Sequence, residues 1–156
     1  MRIRDRLLNG PLGFGAAPLG NMFRNNPGQE AAATIDAAWQ RGTRYSDTAP
    51  FHDAGLSEIH LGKALAKHKR DENLLDSKVG RMILDRVETG RRDFGKKDGI
   101  FEFGRRPNRI VYDYSEHGGP KAIEDSLKRL GVDRLDFDWI HDLAGDLHGD
   151  AWLAQF

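Results

Sequence analysis

Residues 26–48 read NPGQEAAATIDAAWQRGTRYSDT, a helix followed at once by a strand. Asn26 and Pro27 suit a helix start, with Asn as the cap and Pro in the first turn. From Glu30 to Gln40, Ala31, Ile35, Ala38 and Trp39 fall on one face at helical spacing, and Gly42 supplies the stop. Thr43 to Thr48 then reads as a strand. Working outward, the same unit recurs. Upstream, the apolar run Leu12–Ala17, broken by Gly13 and Gly15, reads as a strand entering a tight loop. Downstream, Ser57 caps a second helix with Leu61 and Leu65 at i and i+4, ending in the basic stretch Lys67–Arg70. Asn73–Val79 is the next strand. Pro120 opens a third helix that turns Ile123, Leu127 and Leu130 inward, pairs Glu124 with Lys128 and ends at Gly131. Arg134–His141 is a fourth strand, and Asp150–Phe156 reads as the first turns of a fourth helix.

Strands alternating with helices in this way predict an α/β fold of parallel strands joined by crossover helices. One stretch resists the pattern. Gly80 to Arg109 is long, charged and Gly-rich with no clear period, and reads as a long loop or insertion, with a short extended piece at Asn108–Tyr114.

Composition narrows the function classes. The chain of 156 residues is 38% hydrophobic and 31% charged, the balance of a globular domain rather than a disordered one. Its 24 basic and 24 acidic residues cancel, so no net field draws it to nucleic acid or a membrane surface. The absence of cysteine excludes disulfides, thiolate metal sites and thiol nucleophiles. No apolar run approaches the roughly 20 residues of a membrane helix, and Met1–Leu8 lacks the apolar core of a signal peptide. The cytoplasm is the expected compartment.

In a parallel barrel the reactive residues collect at the C-terminal ends of strands. Asp47, Lys78 and His141 each end a strand here and precede a loop. A Lys beside a carboxylate can tune a neighbouring acid, and a His can orient a carbonyl oxygen. By pattern alone, any one such residue is more often a solvated loop residue.

Four segments together are more specific. Gly13–Asn21 (GFGAAPLGN), Arg44–Pro50 (RYSDTAP) with Gly55–Glu58 and Leu61-Gly62, Ser77–Arg81 (SKVGR), and Ile140–Asp142 (IHD) preceded by Ser126–Gly131 (SLKRLG) occur in this order. In that order they resemble the aldo-keto reductases, and within them the bacterial threo-aldose and pyridoxal dehydrogenases. The resemblance implies a (β/α)8 TIM barrel, of which residues 1–156 would be the N-terminal half of a single domain, about the first four βα units. It implies an oxidoreductase dependent on NADP or NAD, acting on a small-molecule aldehyde, ketone or sugar. Carried over residue by residue, Asp47 and Lys78 would tune proton transfer and His141 would position the substrate oxygen. Gly15, Ala16 and Asp47 would border the cofactor, and no metal is implied.

Two departures stand out. Where the family's motif continues with a Tyr-Gly pair, the proton donor's place, this chain has His52-Asp53. An imidazole titrates near neutrality and can exchange a proton, although it is shorter than a tyrosine and a Lys78 cation opposes its charged form. Second, a complete barrel typically takes ~250 residues, and the missing half supplies most of the cofactor site in the family. A half barrel has open strand edges, which invite self-association. The alternative to an enzyme is therefore a non-catalytic half-barrel remnant or interaction protein. Ser46 and Asp138 alternate with the inward set and should face the helices, where apolar residues are expected.

Other constellations carry less. Asp142, Asp146 and Asp150 with Gly145 and Gly149 lack the spacing of a calcium loop. His141 and His148 lack close metal-ligand spacing. Gly13-Phe14-Gly15 has no dinucleotide-binding unit around it. The basic pairs Arg91-Arg92, Lys96-Lys97 and Arg105-Arg106 are interleaved with Asp93, Asp98 and Glu102, which dilutes any nucleic-acid surface.

Overall fold

The computed structural model describes residues 12–87, 103 and 106–150. Its elements are β1 (Phe14–Gly15), α1 (Gly28–Gln40), β2 (Tyr45–Asp47), α2 (Leu56–Leu65), β3 (Leu74–Val87), β4 (Asn108–Asp113), α3 (Gly118–Leu130), β5 (Phe137–Ile140) and α4 (Gly145–His148). β1, β2, β3 and β5 lie side by side and parallel. Their register pairs Gly15 with Asp47, Tyr45 with Leu74, Asp76 with Phe137, and Lys78 with Trp139. Four parallel strands with helices between them, β3 reaching its helix by way of β4, make part of a (β/α)8 barrel.

Strand alternation sorts the side chains. Phe14, Ser46, Leu75, Ser77 and Ile140 face the helices, and Gly15, Tyr45, Asp47, Asp76, Lys78 and Trp139 face the barrel interior. The apolar core lies on the helix side, where Ala16, Leu19, Ala31, Ile35, Leu61, Ala64, Leu75 and Leu130 are buried together. Phe14, Leu65, Val132 and Leu135 pack against it half-buried. Helices α2 and α3 approach so closely that a Cβ on Gly62 would stand 2.1 Å from the Leu130 carbonyl oxygen. Only glycine fits there.

The stretch from Gly80 is corrected by the structure. Over residues 80–87 it is not a loop: β3 continues to Val87 and pairs antiparallel with β4, Gly80 opposite Asp113 and Ile83 opposite Ile110. Such a two-stranded ribbon is not buried cleanly on one face, so its apolar residues need not alternate and the period is lost. Asn108–Asp113, read as a short extended piece, is its second strand. The rest of the long-loop reading, residues 88–102 with 104 and 105, lies outside the described residues, as does the helix read over 151–156.

Several caps differ too. Pro27 rather than Asn26 stands at the start of α1, and Asn26 donates instead to the Pro18 carbonyl at 2.5 Å. Gly55, with φ of 84°, opens α2 in place of Ser57, whose hydroxyl is used elsewhere. In α3 Lys128 bonds Asp125 rather than Glu124, while Gly131 closes the helix at φ 68°. Ile123 and Leu127 are half-buried and Leu130 is buried.

Candidate active site

Asp47, His52, Lys78 and His141 come together at or just past the ends of β2 and β5. Lys78 does not end its strand, since β3 continues to Val87, but it stands near the end of the stretch paired parallel to β5. The Lys78 ammonium bonds the Asp47 carboxylate and donates to the Thr48 carbonyl at 2.9 Å. His141 is carried just past β5 by its backbone N–H, which donates to the Val79 carbonyl at 2.9 Å. Its ring lies edge-on to those of His52 and Phe51, with centroids 6.0 and 5.8 Å away.

The loop after β2 places His52 by unusual backbone. Asp53, Ala54 and Gly55 all have positive φ, at 48°, 48° and 84°. Asp53 is held there by the Asn21 side-chain amide, which donates at 3.1 Å, and by the Arg106 backbone N–H at 3.2 Å. Gly20 faces the His52 backbone, where a Cβ would come within 2.7 Å. The chain therefore reaches the site through contacts with the loop after β1.

Electrostatics follow from burial. His52 and His141 are both buried. Desolvation, followed by the neighbouring His141 and Lys78, pushes the His52 imidazole down to about 3. Desolvation, then Arg81 and Lys78, does the same to His141, also to about 3. Near neutral pH both rings are uncharged, able to donate one N–H and accept at the other nitrogen. Among the described residues the His141 Nδ1 atom has no hydrogen-bond partner. The Arg81 guanidinium stacks 3.9 Å over the Phe51 ring and bonds Asp142 at 2.5 Å, closing one side of the site.

The residues read as cofactor-bordering are placed differently from one another. Gly15 pairs with Asp47, and a Cβ added to it would meet nothing within 4 Å among the described residues. The Ala16 side chain is buried in the core, and its backbone N–H donates to the Asp47 carbonyl at 2.8 Å. Among the described residues no group of three or more His, Cys, Asp or Glu is placed to hold a metal ion, and no helix is long and apolar enough to cross a membrane.

Sequence reasoning passed over three interior residues. Asp76 lies two positions before Lys78 and so on the same face, and it accepts from the Tyr45 hydroxyl and from the Trp139 indole N–H at 3.1 Å. Period-2 alternation was the available signal.

Parallel strands with helices between them, and a Lys–Asp pair with buried histidines on the side where barrel sites collect, belong to the (β/α)8 class. The aldo/keto reductase family model matches residues 11–154, and the chain belongs to that family. It is 42% identical over 132 residues to a D-threo-aldose 1-dehydrogenase of Pseudomonas sp, covering 84% of this chain and 39% of that protein. It is 33% identical to a pyridoxal 4-dehydrogenase of Microbacterium luteolum, covering 89% of this chain and 41% of that one. Among solved structures, the holo form of an aldo-keto reductase from Bacillus halodurans superposes with a TM-score of 0.61 at 31% identity, over 93% of this chain and 40% of the other. The chain thus spans about two fifths of the length of these relatives.

Proposed function

We propose that residues 1–156 form the N-terminal half of one barrel domain and carry the carbonyl-side residues of an NAD(P)-dependent oxidoreductase for an aldehyde, ketone or sugar. The observation that carries this reading is the convergence of the Lys78–Asp47 pair with the two buried imidazoles of His52 and His141. Relatives named as sugar and pyridoxal dehydrogenases support the substrate class.

Bound nicotinamide would supply or accept the hydride. Gly15 and Asp47 would border its ring end, and Gly15 carries no side chain to obstruct it. In this reading His141 donates its N–H to the carbonyl oxygen, and Lys78, held by Asp47, stabilises negative charge that develops there. His52 stands in the proton donor's place. A neutral imidazole gives up its remaining proton reluctantly, so turnover is slow with this residue. Restoring the longer phenol by His52→Tyr is expected to raise the rate roughly 100-fold, within the range of general acid catalysis. An unchanged rate would remove His52 from the reaction.

Titration of the purified chain with NADH and NADPH by fluorescence, alongside its mass in solution, tests the reading. Micromolar binding supports activity of this chain by itself, and no binding up to millimolar cofactor overturns that activity, leaving the half barrel without its chemistry.

The second reading, a non-catalytic partner-binding half barrel in the cytoplasm, draws on one observation. Trp139 and Ile140 of β5 are each 52% exposed, on opposite faces of a strand paired only to β3 among the described elements. Open apolar strand edges favour self-association. Concentration-dependent dimerisation without cofactor binding is its signature.

A further inference from the structure

We propose that Asp76 and Asp47 share one proton beneath Lys78, and that Asp76 is thereby the positioning residue that holds the Asp47 carboxylate against the Lys78 ammonium. The inference concerns the folded chain itself and stands whether or not it turns over a substrate.

Continuing the register that pairs Tyr45 with Leu74 and Ser46 with Leu75 sets Asp47 beside Asp76, both facing the interior. Neighbouring strands run about 4.8 Å apart, so side chains at paired positions on one face meet across that gap. Asp76 is fully buried. One of its oxygens, Oδ2, accepts from the Tyr45 hydroxyl and from Trp139 Nε1 at 3.1 Å. The other, Oδ1, has no hydrogen-bond partner among the described residues. An ionised oxygen buried without a donor is costly, and a second carboxylate beside it adds repulsion. A proton on Oδ1 removes both penalties at once: the approach to Asp47 becomes an O–H···O⁻ bond, a strong one because the acceptor is charged.

The alternative donors are taken. Tyr45 is pushed up to about 12 by burial and by Asp76, so its hydroxyl keeps its proton and serves Oδ2. Lys78 is committed to Asp47 and to the Thr48 carbonyl. The charged or titratable groups facing Asp76 are therefore Tyr45 and Asp47 from β2 and Lys78 from its own strand. β5 presents Phe137 and Trp139, which carry no charge, and β1 presents Gly15. Two carboxylates against one ammonium leave one negative charge in excess, which a single shared proton cancels. Burial, with Asp47 adding to it against the Tyr45 bond, raises Asp76 to about 7, in the same direction.

The function follows from the geometry. Asp47 is anchored at both ends, to Lys78 and to the Asp76 proton, so the pair keeps its orientation at the open end of the barrel. Loss of that proton restores repulsion and loosens Asp47 from Lys78.

Carboxyl ¹³C NMR on protein labelled at aspartate, with the Lys78 ammonium followed by ¹⁵N, tests this. The expected result is one carboxyl step near neutrality and a second well into acid, belonging to the pair rather than to either residue. The Lys78 resonance should shift with the first step. Asp76→Asn, whose amide N–H is a permanent donor to Asp47, should abolish the near-neutral step and leave Lys78 unmoved across it. Asp47→Asn should shift the step to lower pH. Asp138, exposed at its edge but partly shielded from water and close to Glu58, is raised to about 6 and is assigned separately by Asp138→Asn. Titration of both carboxyls below about pH 5, as for ordinary aspartates, or persistence of the near-neutral step in Asp76→Asn, overturns the proposal.

Discussion

Acidifying the solution from about pH 7 to about pH 5 loads protons onto the unfolded chain that the folded chain refuses at His52 and His141. Both imidazoles fall from 6.5 to about 3 on folding. Their contribution is complete above 6.5 and is lost as pH falls from there toward 3, because only the unfolded state takes up the protons in that window. Over the roughly 1.5 pH units between 6.5 and 5, at about 1.4 kcal/mol per pH unit, each imidazole costs about 2 kcal/mol. A domain stable by only ~5–15 kcal/mol feels a loss of about 4 from the two. Asp76 acts with the opposite sign: its raised carboxyl stabilises the fold below about 4, and that stability is lost as pH rises through about 7. The comparison that isolates one histidine is therefore between wild type and His141→Gln: Asp76 is common to both, and His52, held down first by its own burial, keeps its contribution in both. Urea unfolding followed by tryptophan fluorescence at the two pH values is the assay. The variant is less stable at both, since it leaves space in a packed site, but its further loss on acidification should be smaller than wild type's by about 2 kcal/mol. An equal loss in the two proteins would show that His141 charges freely in the fold, and with it the argument for two neutral imidazoles falls.

Two further perturbations read the scaffold. Glu58 is fully buried, bonded by Arg129 at 2.5 Å and by the Ser77 hydroxyl at 2.8 Å, so Glu58→Ala should cost ~3–5 kcal/mol by leaving the guanidinium uncompensated. The double change Glu58→Leu with Arg129→Met should cost clearly less than Glu58→Ala, and an equal cost in thermal melting would deny that the loss comes from the stranded charge. Gly62→Ala gains helix propensity yet must move the Leu130 carbonyl, 2.1 Å from the new methyl. A net loss of ~1–3 kcal/mol is expected, and a raised melting temperature would mean that α2 and α3 are not in that close contact.

The alternation of strands and helices was legible because each helix buries one stripe and each interior strand carries one polar face. Asp47, Lys78 and His141 stood out as ionisable residues at apparent strand ends in recognisable segments, although β3 in fact runs on past Lys78 to Val87. Residues 80–87 were not, since a ribbon without one cleanly buried face loses the period that marks a strand. Asp76 was passed over because a carboxylate in a strand attracts no notice until its neighbour across the sheet is known. The charge state of His52 was hidden for a related reason. An isolated histidine in a loop titrates near neutrality, and only its burial against His141 and Lys78 reveals that it stays uncharged.

Ser46 and Asp138, polar where the helices should be met by apolar side chains, look like errors in sequence. They fare differently in the fold. Asp138 is exposed on β5, whereas Ser46 is buried beside the Asn73 amide, 3.5 Å away. Ser46 belongs to a wider polar seam on the helix side of the strand ends. The Ser57 hydroxyl donates to the Ala16 carbonyl at 2.7 Å, which leaves the Thr48 hydroxyl as donor to Ser57 at 2.9 Å. The Thr48 carbonyl in turn accepts from Lys78, and Ser77 beside Lys78 donates to Glu58, which Arg129 of α3 neutralises. Apolar packing at these positions would fill space but leave the strand ends free to slide against α2. Hydrogen bonds fix direction as well as distance, and here they run from the loop after β1 through α2 to the carbonyl that holds the Lys78 ammonium. The polar residues that weaken the core by composition are thus the ones that position the site.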